Sequence, residues 1–389
     1  MLAGFYKHNM KQTITNLIFS VVTSVCIATT YTAHAVEVSS QDYIINVEIL
    51  VEGLNHPWSL AFLPDGNMLV TERVGTLRLI QNDKLVSEPV SGLPPIEQHG
   101  QGGLMDVVVH PDFKTNHLIY LAYAGEADEG LSTEVLRGKL VDDRLEDVEV
   151  IFAANGKTSG GRHFGGRLLF DNEGKLFITL GDRGQRNPSQ DLASHTGSLI
   201  RINDDGSIPK DNPFLNDKNA QPEIYSYGHR NIQGIALKPE TNIVWTHEHG
   251  PQGGDEINII QAGNNYGWPV ITYGKNYVIG TRIGEGTHKE GMEQPLYYWT
   301  PSIAPSGMMF YTGDEFPLWK GNLFVGSLKF GLLVRLVIED DEVVHEERLL
   351  KNKFGRIRDV RQGPDGAIYL LTDDSRGSVL RLSNAGVTD

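Results

Sequence analysis

Residues able to do chemistry gather at a few glycine-rich points of this chain. His163 stands in Gly160-Gly161-Arg162-His163-Phe164-Gly165-Gly166. Glycines on both sides let the backbone bend sharply and let a large ligand come close. An imidazole has an unperturbed pKa of about 6.5, so it can accept or give a proton near neutral pH. Taken alone, the stretch suits a structural histidine equally well.

Basic residues form a second group. Arg230 and Asn231 lie in Gly228-His229-Arg230-Asn231, Lys329 ends Gly326-Ser327-Leu328-Lys329, and Arg356 and Arg358 frame Ile357. Arg356 and Arg358 alternate on a strand-like stretch and so share a face. With Arg230 and Lys329 they make a cationic pocket in a chain of net charge −15. Such a pocket suits a small anion with several carboxylates or phosphates. Gln101 and Asn231 add two amides. No glycine-rich turn runs into a helix as a phosphate site usually requires. The competing reading pairs each cation with a nearby acid, which is the commoner fate of a single arginine but not of the set.

The third group is Glu248-His249-Gly250-Pro251-Gln252-Gly253-Gly254-Asp255-Glu256-Ile257-Asn258. Paired carboxylates beside glycine-rich backbone offer hard oxygen ligands, which suit calcium. His247 and His249 raise zinc, but no third ligand is evident. Asn264-Asn265-Tyr266-Gly267-Trp268-Pro269 follows, with carbonyls that could complete a site.

These points recur at matching places of a repeat. Strand, turn of Pro-Asp-Gly type, strand is written six times, beginning near Pro57, Gly103, Gly166, Ile232, Ser306 and Ile357. Several copies continue into a third strand, such as Thr76 to Ile80, Leu332 to Ile338 and Ser378 to Leu382. A period of roughly 45 to 75 residues suits four-stranded blades with insertions. The expected fold is all-β, a six-bladed β-propeller over residues 36–389. Long insertions, Gly181 to Tyr225 and Gly250 to Pro305, are expected to wall a cleft where loops converge at one channel mouth.

Composition agrees. The 389 residues are 40% apolar, with 43 glycines, in short apolar bursts. Lys7, His8 and Lys11, the apolar run Leu17 to Thr29, and Ala33-His34-Ala35 read as a secretory signal peptide over residues 1–35. The run is short for a membrane span. The one cysteine, Cys26, lies inside it, so the mature chain carries no disulfide, and a periplasmic location is expected. The acidic balance, without basic runs, argues against nucleic acid and anionic membrane surfaces as partners.

Gly103-Leu104-Met105-Asp106 to Phe113, the His163 hairpin, Gly228-His229-Arg230-Asn231, the block from His249 to Pro269, Ser327-Leu328-Lys329-Phe330-Gly331 and Gly355-Arg356-Ile357-Arg358-Asp359-Val360 together resemble the soluble quinoprotein sugar dehydrogenases. This is the glucose/sorbosone dehydrogenase family, and the aldose sugar dehydrogenase branch is the nearer likeness. The resemblance spans about Pro57 to Leu382. It implies a propeller holding pyrroloquinoline quinone (PQQ) and calcium. Lys329, Arg356 and Arg358 would hold the tricarboxylate PQQ, and Gln101, Arg230 and Asn231 would surround its quinone oxygens. The carbonyls of Gly250 and Pro251 would bind the calcium that polarises it. Asp255, Glu256 and Tyr266 would match a second, structural calcium.

In that scheme His163 is the general base for an aldose substrate, whose C1 hydride passes to the quinone. Arg230 steadies the growing charge, the product is a lactone, and electrons leave to an external acceptor such as a quinone or redox protein. The chain would act as a monomer or homodimer. One departure stands out: the glucose dehydrogenase branch has an acidic residue before the histidine, and here it is Arg162. That bears on which sugar is preferred. A calcium-dependent propeller hydrolase of lactonase type, or a non-catalytic propeller binding sugar or protein, are the alternatives; neither needs a tricarboxylate pocket.

Overall fold

The computed structural model describes residues 35–128 and 130–388. The signal segment expected over residues 1–35 lies outside them, but for its last residue. Regular structure is almost all strand. The helices among the described residues are one short α-turn, Phe113–Asn116, and two 3-10 turns, Asn187–Gln190 and Pro317–Trp319. No helix there is long and apolar enough to cross a membrane.

Six antiparallel sheets follow one another. The first five are cut from consecutive sequence. Blade 1 holds Pro57–Phe62, Met68–Glu72, Thr76–Gln81 and Lys84–Leu85. Blade 2 holds Leu104–Val109, Leu118–Ala127, Gly130–Val141 and Arg144–Ala153. Blade 3 holds Leu168–Phe170, Lys175–Thr179, Leu199–Asn203 and Ile224–Ser226. Blade 4 holds Ile232–Leu237, Val244–Glu248, Asp255–Ile259 and Tyr297–Trp299. Blade 5 runs from Pro305–Phe310 through Leu323–Ser327 and Leu332–Glu339 to Glu342–Leu349.

Blade 6 takes Ile357–Gln362, Ile368–Thr372 and Gly377–Val387 from the chain's end. Its outer strands are Tyr43–Leu54 and Val36–Ser39, from the other end of the described chain. The long pairing of Tyr43–Leu54 with Gly377–Val387, as in Val47 opposite Leu382, zips the two ends together. First strands of successive blades pack side by side, and Ile357–Gln362 meets Pro57–Phe62 to close the ring. The fold is a six-bladed β-propeller, and the six sequence repeats are its six inner hairpins.

Each sheet is sandwiched between two others, so middle strands are buried on both faces. Met68–Glu72 and Ile368–Thr372 are buried at every position. That is why the sequence shows apolar bursts rather than clean alternation. Six apolar clusters fill the six seams, for example Leu69, Leu77, Val107 and Leu121 between blades 1 and 2.

A charged plug closes the channel. Arg167 Nη1 lies 2.8 Å from Asp359 Oδ1, and Arg361 bonds Asp359 Oδ2 at 2.8 Å and Asp106 Oδ1 at 2.9 Å. Backbone amides of Leu60 and Leu168 donate to the same two acids. Two guanidiniums balance two carboxylates, so burial here leaves no net charge.

Candidate active site

A cavity of about 960 Å³ opens at one end of the channel. Its walls are the loops entering the first strands, the loops joining second to third strands and, in blade 4, the long loop between the third and fourth strands. Gln101, Asn231, Pro251, Lys329, Arg356 and Arg358 line it. The insertion from Gly250 to Pro305 walls it through Tyr273, Lys275, Tyr277, Thr300 and Ser302. The other insertion does not. Gly181 to Tyr225 supplies the two outer strands of blade 3, because blade 3 needs that length to complete its sheet, and lines none of the cavity; its first residues pack on His163, which adjoins the lining residues Phe164 and Gly165.

Those first residues organise His163. Its Nδ1 lies 2.6 Å from Asp182 Oδ1, while Asp182 Oδ2 accepts 2.8 Å from the Trp268 indole N–H. The carboxylate therefore fixes which ring nitrogen of His163 carries the proton, and Trp268 fixes the carboxylate. The His163 backbone N–H donates 2.8 Å to Gln101 Oε1. Backbone around the base is bent as the glycines suggest: His163 itself has φ +54 and Gly165 φ +67. A side chain at Gly165 would put Cβ 2.4 Å from the Thr179 carbonyl, and one at Gly181 would put it 2.2 Å from the His163 carbonyl. Arg183 clamps the loop from outside, donating to Gly160 and Arg162 carbonyls with its guanidinium 3.4 Å above the Phe164 ring.

Burial pushes the His163 pKa below its usual value; the Asp182 hydrogen bond opposes this and the Arg230 charge adds to it. Burial works to raise the Asp182 carboxyl, but the hydrogen bond and charge of His163, with Arg230, hold it below the usual range. At neutral pH the pair is a neutral imidazole on an ionised acid. The second ring nitrogen, Nε2, is left as a proton acceptor.

The cations stand on one side. Arg358 Nη2 bonds Asp373 Oδ2 at 2.8 Å and Arg356 Nη2 approaches the same oxygen at 3.2 Å, while His56 takes the other oxygen at 3.0 Å. Burial works to raise the Asp373 carboxyl, but the Arg358 charge and hydrogen bond hold it far below the usual range. Arg73, which the sequence reading passes over, also lines the cavity. So the lining carries Arg73, Lys275, Lys329, Arg356 and Arg358 and no acidic side chain. Nε of Arg73 and Nε of Arg358 are buried without a partner. These orphaned donors and the surplus of positive charge fit a polyanion such as PQQ.

Arg230 does not join this wall. It is buried behind it, Nη1 donating 2.9 Å to the His249 carbonyl and 2.8 Å to that of Gly250. The Glu248 carboxylate takes its backbone N–H, which turns the side chain toward the Gly250 loop. Asn231 and Gln101, not Arg230, face the cavity.

The calcium expectations divide. Pro251 lines the large cavity, whereas Gly250 borders a small separate one and its carbonyl accepts from Arg230. Asp255, expected as a ligand, is a loop clamp: Oδ1 accepts 2.9 Å from Gly250 N–H, and Oδ2 accepts from Ile303 and Ala304 N–H at 2.8 and 3.1 Å. Tyr266 spends its hydroxyl on Ile259 O at 2.8 Å and Gln261 N–H at 2.9 Å. Glu256 borders a cavity of about 10 Å³ with Glu248 and Tyr266. Burial and the nearby Glu248 charge raise its carboxyl well above the ordinary range, a repulsion that a cation there would relieve. No cluster of three or more His, Cys, Asp or Glu side chains among the described residues is set to hold a metal ion. His247 and His249 turn their Nε2 atoms to the carbonyls of Ser306 and Pro305.

The sequence profile of the glucose/sorbosone dehydrogenase family matches residues 54–381. Aldose sugar dehydrogenase YliI of Escherichia coli (strain K12) is 49% identical over 345 residues, 87% of this chain and 93% of that protein. The crystal structure of the soluble aldose sugar dehydrogenase from Escherichia coli in the apo form superposes with a TM-score of 0.85 at 48% identity, covering 87% of this chain and 99% of that one. The PQQ-bound form of an aldose sugar dehydrogenase from Streptomyces coelicolor superposes with a TM-score of 0.72 at 25% identity, covering 87% and 98%.

Proposed function

The chain belongs to the glucose/sorbosone dehydrogenase family and is an aldose sugar dehydrogenase of that family, and from that premise we propose that it oxidises aldoses at C1 to lactones with PQQ as its redox cofactor. The observation that carries the cofactor is the cavity lining: five basic side chains, no acidic one, and two buried guanidinium nitrogens without a partner. A tricarboxylate answers that surplus. Arg356, Arg358 and Lys329 would hold it, with Gln101 and Asn231 at its edge. Calcium at the Gly250 and Pro251 carbonyls would polarise the quinone.

When bound, PQQ supplies an electrophilic quinone able to take a hydride from the sugar C1. The chain's own residues do the proton work. Asp182 accepts from Nδ1 of His163, so Nε2 receives the proton of the anomeric hydroxyl. Loss of that proton and of the C1 hydride leaves the lactone. Phe164, Met105 and Trp58 keep part of the wall apolar, which strengthens the electrostatic interactions inside. The electrons then leave to an external acceptor, and the expected export signal would place the reaction in the periplasm.

The test is steady-state turnover of purified protein with glucose and other aldoses, followed by reduction of a dye acceptor. Activity that needs both PQQ and calcium supports the reading. No activity with any aldose, joined to hydrolysis of a lactone panel, would replace it with the hydrolase.

A further inference from the structure

We infer that Arg73 is a further cofactor-binding residue, a receptor for one carboxylate of the polyanion in the cavity. This rests on the PQQ reading above and extends it to a residue outside the motifs that suggested it. Arg73 lies in the turn between Met68–Glu72 and Thr76–Gln81 of blade 1. Its backbone is held from two sides: N–H donates 3.1 Å to His56 O, and O accepts 3.3 Å from Leu104 N–H. The side chain is therefore presented from a fixed base, at the seam where the ring closes.

That side chain lines the cavity, yet its buried Nε has no partner. It forms no ion pair among the described residues. Asp373, an acid on which the Arg73 charge acts, is already shared by His56, Arg356 and Arg358. The Arg73 charge acts on both Arg358 and Asp373, so it adds to a surplus and does not cancel one. The channel plug shows the contrast, since Arg167 and Arg361 each meet Asp106 or Asp359 within hydrogen-bond distance. Arg73 is half-buried with its Nε unpartnered, and its planar fork matches a carboxylate. Arg73 from blade 1 and Arg356 with Arg358 from blade 6 would grip the ligand across the closing seam.

The experiment is equilibrium titration of the full-length apoprotein with PQQ, in calcium, for wild type, Arg73→Gln and Arg73→Lys. Arg73→Gln is expected to bind PQQ about 10- to 100-fold more weakly, the size of a lost charge-assisted hydrogen bond. Arg73→Lys, which keeps the charge and loses the fork, should fall between. The melting temperature without PQQ should stay near wild type, because Arg73 has no protein partner to lose. Should Arg73→Gln fail to fold, Arg73→Lys decides alone. Variants that bind as tightly as wild type overturn the role of Arg73 and leave the cofactor reading standing. No PQQ binding by wild type overturns that reading, and with it this inference.

Discussion

At the level of single residues, the acid behind His163 sets what the base can do. Asp182→Asn removes the acceptor that fixes the Nδ1 proton, so kcat should fall by about 10²-fold or more, within the range a positioned base contributes. The pH profile should report the same pair. His163 must be neutral to act, and its pKa lies below the ordinary value, so activity in wild type should persist as pH falls below about 6.5 and decline only at lower pH. Losing the Asp182 hydrogen bond removes what raises that pKa, and the acid limb of kcat/KM should move lower still. An unchanged profile and rate would free Asp182 of this role. Much of the site was readable in the chain because its residues sit in short distinctive motifs beside each repeat, as His163, Lys329, Arg356 and Arg358 do. Asp182 closes the same stretch of sequence, but its contact with His163 depends on how the hairpin of blade 3 folds back, which spacing alone does not give. Arg73 was hidden differently: it follows an ordinary strand, and only the cavity shows that its charge is unmatched.

At the level of elements, the Gly250 loop and the loop before blade 5 depend on one carboxylate. Asp255 receives three backbone amides from them. Its motif suggested calcium, and the reason it differs is burial: with Gly250, Ile303 and Ala304 N–H groups to satisfy, the carboxylate is committed to backbone. Asp255→Asn puts an amide donor where an acceptor is needed. It should lower stability by about 1–3 kcal/mol and weaken calcium-dependent reconstitution, read from thermal melts with and without calcium. A melt like that of wild type would show that the loops hold without it. Blade hairpins were legible because apolar runs and Pro-Asp-Gly turns are local signals. The outer strand Tyr43–Leu54 was not placed in blade 6 from sequence, since its partner Gly377–Val387 lies at the far end of the chain.

The molecule as a whole is a ring of sheets whose seams are apolar and whose channel is plugged by paired charges. His247 is buried at a seam, and burial drives its pKa well below the usual range. It stays neutral in the fold, while the unfolded chain takes up a proton near pH 6.5. Below that pH the unfolded state binds a proton the native state does not. Stability should then drop by about 1.4 kcal/mol per pH unit for this residue, with no such slope above pH 6.5. Denaturant melts from pH 8 to 5 read this, and His247→Gln, which can still donate to Ser306 O, should flatten the slope; an unflattened slope would assign it elsewhere. The most direct measurement of the central claim is a single turnover without external acceptor. Apoprotein loaded with one equivalent of PQQ and calcium is mixed anaerobically with glucose, and the absorbance of the bound quinone is followed. The account predicts complete bleaching with one lactone formed per PQQ, and His163→Ala that binds PQQ but bleaches at least 10²-fold more slowly. Bound PQQ that stays oxidised with every aldose would contradict it.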